Sequence, residues 1–285
     1  MLKTFLTILA LQVCLDRRGF SPNAMDGQVG YKTRTALAAY CAAKGLPPPV
    51  PGDELNAVAK YFPGEPPVFT EHVITTNDLA AIVKIPKDPA AKAKLANMGY
   101  ESIKEMLAER GHVTQNTLGR LNPGICWTNL TAGTVIKLPE VSPAAIGETA
   151  ALVKVSLGKF TVTALDAKGR PMAVFPCSIA RDKSKRPPPG EIKITSYIEN
   201  PNYTYTPDFT PKGKKVIRHI FMPGPNNPVG SYWMGLSLPG YGIHGTPSPE
   251  TIGRAESHGC FRLANWNAEK LFQLVRPGTK VVIEP

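Results

Sequence analysis

The sequence predicts a multidomain α+β protein in which two small helix-containing units precede a larger β-rich one. Three observations carry this. Apolar residues recur at helical spacing near the N-terminus, at Leu6, Leu9, Leu11 and Leu15, and again through Thr33 to Ala43. Strand-like alternation takes over from Ala151 onward. Pro-rich stretches at Pro63 to Pro67 and Pro139 to Pro143 interrupt the periodicity and read as linkers, dividing the chain into units 1–62, 71–140 and 148–285.

Met1 to Cys14 carries one lysine before a mostly apolar stretch, the composition of a signal peptide, and Cys14 would then be a lipidated residue. Val13 is larger than the residue usual before such a cysteine, and the stretch runs without a break into Leu15. A structural helix is therefore predicted, with no export signal read in the sequence given. Ser21-Pro22-Asn23 and Asp26-Gly27 mark turns. A second helix, Thr33 to Ala43, places Ala36, Leu37 and Tyr40 at helical spacing and ends near Gly45, before the prolines at 47 to 49. The order Leu11-Gln12, Leu15, Gly19-Phe20, Asp26-Gly27, Gly30 and Thr33-Arg34-Thr35-Ala36-Leu37 resembles the small three-helix peptidoglycan-binding module.

In the second unit a helix is predicted over Tyr100 to Arg110, then a break at Gly111-His112, a short helix, and a strand within Leu130 to Pro139 entered through a glycine turn. This half resembles a LysM glycan-binding module. The part around Asp78 and Lys84 to Lys94 departs from that family and reads as a long insertion.

The third unit alternates through Ala151 to Leu165, turns at Asp166-Ala167-Lys168-Gly169, and continues as a strand through Val174 to Ile179. Pro187-Pro188-Pro189-Gly190 leads back into a strand at Glu191 to Ile194. Strands near Ser231 to Leu236 and Lys280 to Glu284 flank a helix, Trp266 to Val275, which Asn265 is placed to cap.

Lys and Arg outnumber Asp and Glu by 33 to 22, a balance suited to a polyanionic environment such as nucleic acid, membrane surface or acidic wall polymer. The cations are scattered and form no stripe interleaved with aromatics, which argues against nucleic acid. No apolar run is long enough for a membrane span. With five cysteines, one is left over if the others pair, and Cys260 is the candidate free thiol; Cys14 and Cys41 could approach each other, though their spacing does not require it.

His244-Gly245 and the run Ser257-His258-Gly259-Cys260-Phe261-Arg262 concentrate reactive side chains in one short stretch. A free thiol has a pKa of about 8.5, and a neighbouring imidazole can take its proton or pair with the thiolate. Either histidine could do so. The adjacent glycines let a substrate approach the backbone and leave amides to face an oxyanion. Arg262 offers a planar donor fork for a carboxylate. His244, His258 and Cys260 are also zinc-ligand types, so composition alone leaves a metal site open.

Four ordered segments make the third unit similar to the L,D-transpeptidase catalytic domain, the YkuD fold. They are Pro189 to Ile194, Met222-Pro223-Gly224-Pro225-Asn226-Asn227-Pro228-Val229-Gly230, Leu238 to Thr246 and Ser257 to Leu263. The resemblance implies Cys260 as nucleophile, His244 as its base or ion-pair partner, and the Gly245 carbonyl as the group that orients His244. His258 supports the site, and the amides of Gly259 and Cys260 form an oxyanion hole. Arg262 holds the motif or binds a stem-peptide carboxylate, with Ser257 and Tyr241 also at the substrate. Phe261 departs from the smaller aliphatic residue usual there and is expected to tighten the site. No cofactor or metal is implied.

The implied reaction is attack on the third residue of a peptidoglycan stem, release of D-alanine, and transfer of the acyl group to an amine of another stem to give a 3-3 crosslink. Water as acceptor would give an L,D-carboxypeptidase. The rival from another class is a non-catalytic peptidoglycan-binding envelope protein. Stem peptides and glycan strands are the implied partners, carbapenems the implied inhibitors, and the periplasm or cell envelope the implied location. Removal of residues 1–140 is expected to spare turnover of a soluble muropeptide.

Overall fold

The computed structural model describes residues 2–47, 49–142, 148–207 and 215–285; Met1, Pro48 and Pro143, which belong to segments discussed above, lie outside the described residues. The first unit comprises α1 (Leu2–Arg17), α2 (Tyr31–Ala43) and α3 (Ala57–Tyr61). α1 is buried on more than one face: Phe5, Leu9 and Val13 enter a core shared with the second unit, while Leu11, Cys14 and Leu15 pack with Leu37, Tyr40 and Phe62. A helix apolar all round is one with protein on every side, which accounts for its leader-like composition. Gln12 organises the turn that follows, donating to Asp26 Oδ1, the Gln28 carbonyl and Thr33 Oγ1 and accepting from the Gly27 amide. Cys14 and Cys41 are buried free thiols.

The second unit runs β1 (Phe69–Val73), α4 (Thr76–Ala80), α5 (Pro89–Lys92), α6 (Ile103–Arg110), α7 (Gln115–Leu121) and β2 (Val135–Pro139). β1 pairs antiparallel with β2, from Phe69 opposite Pro139 to Val73 opposite Val135, so the unit begins before the predicted residue 71. α6 starts later than Tyr100 because Ser102 caps it, its hydroxyl accepting from the Glu105 amide at 3.1 Å. Asp78 closes a capping box with Thr75 at the start of α4. The segment from Lys92 to Met98 docks on the third unit. Met98 donates to the Pro223 carbonyl and accepts from the Asn226 amide, and Lys92 Nζ lies over the Phe221 ring.

The third unit contains β3 (Leu152–Ser156), β4 (Thr161–Leu165), β5 (Pro171–Pro176), β6 (Ile179–Ala180), β7 (Gly190–Glu199), β8 (Tyr203–Tyr205), β9 (His219–Phe221), β10 (Tyr232–Leu236), β11 (Gly242–His244), β12 (Ala255–Ser257), β13 (Phe261–Arg262), α8 (Asn265–Leu274) and β14 (Lys280–Glu284). Among the described residues eight strands form one mixed sheet in the order β13-β11-β10-β7-β14-β3-β4-β5. The sheet curls until its ends meet, since Ser178, just past β5, exchanges backbone hydrogen bonds with Arg262 of β13. Val153, Phe175, Ile243, Phe261, Leu271 and Val281 fill the interior. The outer edge of β5 is covered by the first unit, with Val174 bonded to the Gly19 carbonyl and the Ser21 amide.

Two expectations are corrected here. Asn265 does not cap α8: the N-cap is Ala264, with no side-chain capping bond, and the Asn265 amide turns instead toward the second unit. The Pro-rich stretches are not loose linkers. Buried Arg17 ties them together, donating to Glu65, to the carbonyls of Pro66 and Pro67, and to the carbonyl of Glu140.

Candidate active site

The Ser257-to-Cys260 loop is held at both ends by strands. β12 pairs with β6, and β13 lies between β11 and the Ser178 bridge. In the parallel β11–β13 pair, Ile243 lies opposite Phe261 and His244 opposite Arg262. Side chains alternate along strands, so Ile243 and Phe261 face the buried interior while His244 and Arg262 share the other face, and Cys260 stands in the bend that leads into β13. Phe261 therefore fills the core, which explains why a large residue is tolerated beside the thiol, and it does not tighten the site as expected.

His244 is buried, and its Nδ1 donates to the Gly245 carbonyl at 2.7 Å, which leaves Nε2 as the acceptor nitrogen. The imidazole stacks on Trp233, the residue opposite it on β10, with ring centroids 5.4 Å apart. Gly242 makes that possible, since a Cβ there would lie 2.7 Å from the indole ring. Burial pushes the His244 pKa down to about 4; the Gly245 and Val229 carbonyls oppose this and the Arg262 charge adds to it. Burial raises the Cys260 thiol, partly offset by the Gly242 amide, Arg262 and its own amide. At neutral pH the pair thus rests as thiol and neutral imidazole. The thiol's own hydrogen bond runs to the Gly240 carbonyl at 3.7 Å.

The other predicted residues are distributed unevenly. Ser257 was expected at the substrate, but it is buried, and its hydroxyl donates to the Cys260 carbonyl at 2.6 Å and accepts from the Gly259 amide at 3.3 Å. It shapes the loop. Tyr241 is partly buried and its hydroxyl donates to the Lys185 carbonyl, tying the basic 183–185 turn beside the loop. His258 is exposed. Among the described residues no group of three or more His, Cys, Asp or Glu is placed to hold a metal ion. A groove of about 560 Å³ lies alongside, lined by residues that include Trp233, Val229, Tyr203 and Met222.

The family model for the YkuD L,D-transpeptidase catalytic domain matches residues 150–283. The YkuD protein of Bacillus licheniformis is 30% identical over 182 residues, 64% of this chain and 93% of its own length. The chain belongs to the YkuD L,D-transpeptidase family. YkuD of Bacillus subtilis is 31% identical over 60% of this chain and 87% of its own. Among solved structures, L,D-transpeptidase 3 from Mycobacterium tuberculosis has 16% identity and a TM-score of 0.38, covering 55% of this chain and 77% of that one. The catalytic domain of the E. faecium L,D-transpeptidase, solved acylated by ertapenem, has 21% identity and a TM-score of 0.35, covering 49% and 99%.

Within this YkuD domain, sequence reading missed the contributions of Trp233, Gly240 and Gly242 to the site. Gly240 and Gly242 stood inside a quoted motif, Leu238 to Thr246, but only the fold brings them against Cys260. Trp233 carried no motif signal, since its role arises from cross-strand pairing with His244.

Proposed function

We propose that the protein is a peptidoglycan L,D-transpeptidase that forms 3-3 crosslinks through a thioester on Cys260. The observation that carries this is the pairing of His244 with Arg262 next to the bend that holds Cys260, whose thiol bonds the Gly240 carbonyl just before β11, with His244 Nδ1 committed to the Gly245 carbonyl.

In this reading His244 acts as a general base, because both partners are neutral at rest. Its Nε2 takes the thiol proton as Sγ attacks the carbonyl of the third stem residue. The oxyanion is received by the amides of Gly259 and Cys260, the former exchanging its long 3.3 Å bond to Ser257 for a charged acceptor. Collapse breaks the peptide bond, and the imidazolium proton goes to the departing D-alanine amine. An amine of a second stem then attacks the thioester, His244 removes its proton, and the thiol is regenerated. Arg262 favours the thiolate over the imidazolium throughout, since its charge lowers both pKa values. A carbapenem would enter the first half-reaction, its strained lactam carbonyl acylating Cys260.

The three-helix unit and the second unit, with four helices between paired strands, support a reading as wall-binding modules that raise the local concentration of an insoluble substrate. That substrate sets an envelope or periplasmic location.

The test is incubation with a purified tetrapeptide-bearing muropeptide. Wild type is expected to release D-alanine and yield crosslinked dimer, and Cys260→Ala neither. Tripeptide without dimer would favour a carboxypeptidase, and wall binding without turnover would favour a non-catalytic binding protein. Intact-protein mass spectrometry is expected to find a carbapenem adduct on wild type and none on Cys260→Ala.

A further inference from the structure

We propose that Asn265, seated on Glu109 of the second unit, is a positioning residue for His244, so that the candidate base is held in register from outside the catalytic unit. This rests on the reading of His244 as the base.

The group that orients His244 is the Gly245 carbonyl, at 2.7 Å from Nδ1. Gly245 has no freedom of its own. A Cβ on it would collide with Asn265 Oδ1 and lie 3.2 Å from the Gly230 Cα, and a Cβ on Gly230, whose φ is +64°, would collide with the same Oδ1 and lie 2.7 Å from both Cα and C of Gly245. The two glycines and the Asn265 amide are therefore packed against one another with no atom between. Any movement of the amide moves the carbonyl that aims His244.

The amide is fixed in turn by two bonds from Nδ2, to Glu109 Oε1 at 3.0 Å and to the Pro225 carbonyl at 3.1 Å. Glu109 lies on α6 and also accepts from the Tyr100 hydroxyl at 3.1 Å. Nearby, Asn226 binds Glu105 of the same helix at 2.7 Å, so the 222–230 loop and Asn265 dock on one face of α6.

Two features set this apart from ordinary packing. Asn265 Oδ1 is buried with no hydrogen-bond partner among the described residues, a costly arrangement that an apolar residue would avoid. Asn265 also makes no capping bond to its own helix. What remains is a rigid polar stop behind Gly245, oriented by the second unit.

The experiment uses the full chain with Asn265→Ala, Glu109→Ala and Glu109→Gln. It reads kcat and KM for D-alanine release from a soluble tetrapeptide muropeptide, the pH profile of Cys260 alkylation by iodoacetamide, and Tm. Misplacing a base by a fraction of an ångström is expected to lower kcat about tenfold in both alanine variants with KM little changed. It should also displace the alkylation profile. Glu109→Gln keeps an acceptor for Asn265 and is expected to restore both. Wild-type kcat and alkylation profile in folded Asn265→Ala would overturn the proposal. So would a loss that Glu109→Gln fails to restore and that tracks Tm. If wild type itself does not turn over, the proposed function fails, and the alkylation profile alone decides this inference: an unshifted profile in the alanine variants overturns it.

Discussion

Lys270 Nζ donates to Asp16 Oδ2 at 2.6 Å and to the Asp16 backbone carbonyl at 2.8 Å, joining the first helix of the chain to the last through a fully buried carboxylate. His112 of the second unit completes the junction, its Nδ1 at 2.7 Å from the same oxygen and its ring stacked on Trp266. All three units thus meet at one charge.

Removing one partner of that pair is expected to be costly. Lys270→Met leaves Asp16 buried without its cation, a loss of about 3–5 kcal/mol, whereas the double variant Asp16→Leu with Lys270→Met should recover most of it. Denaturant unfolding at pH 7 checks both. Burial pushes the Asp16 carboxyl up, but Lys270 and His112 outweigh it and hold the group well below the usual carboxylate range. Its contribution is therefore complete above the unfolded pKa and is lost only as pH falls through the depressed folded value, in strong acid. The Lys270→Met penalty should accordingly persist at pH 5.

Glu109 has the opposite sign. Burial pushes its pKa up to about 7, with the Asn265 and Tyr100 hydrogen bonds opposing and Glu105 reinforcing. A raised carboxyl gives stability that is complete below the unfolded pKa and lost as pH rises through the folded value, amounting to roughly 3 kcal/mol over that window. Glu109→Gln should remove this slope, so its advantage over wild type in denaturant midpoint grows from pH 5 to pH 8. A constant difference would show that the carboxyl titrates normally.

Arg262 depresses both members of the pair. Arg262→Gln should therefore move the inflection of Cys260 alkylation to higher pH and slow alkylation at neutral pH. An inflection unmoved by the substitution would remove the guanidinium from the account.

A fragment of residues 148–285 should be less stable and slower on soluble muropeptide than the full chain, against the expectation of independent modules. It would lose the strand-edge cover on Val174 and the Glu109 support of Asn265, and would uncover Trp266. Matched Tm and turnover in fragment and full chain would restore the modular view.

The sequence by itself determined the candidate nucleophile, its loop, His244 and the β-rich third unit, because these depend on neighbours in the chain: strand alternation, and glycines adjoining the reactive residues. It also carried the helical spacing of α1, α2 and α6. Val13 and the unbroken run into Leu15 favoured a core helix for residues 2–17, but only the tertiary structure shows the two cores that α1 packs into. The sequence could not place Glu109 behind Asn265, 156 residues away, or Asp16 under Lys270, 254 residues away. Such pairs leave no periodic trace in sequence, because burial and hydrogen bonding between distant segments exist only once the curled sheet has closed and the helical units have docked on it.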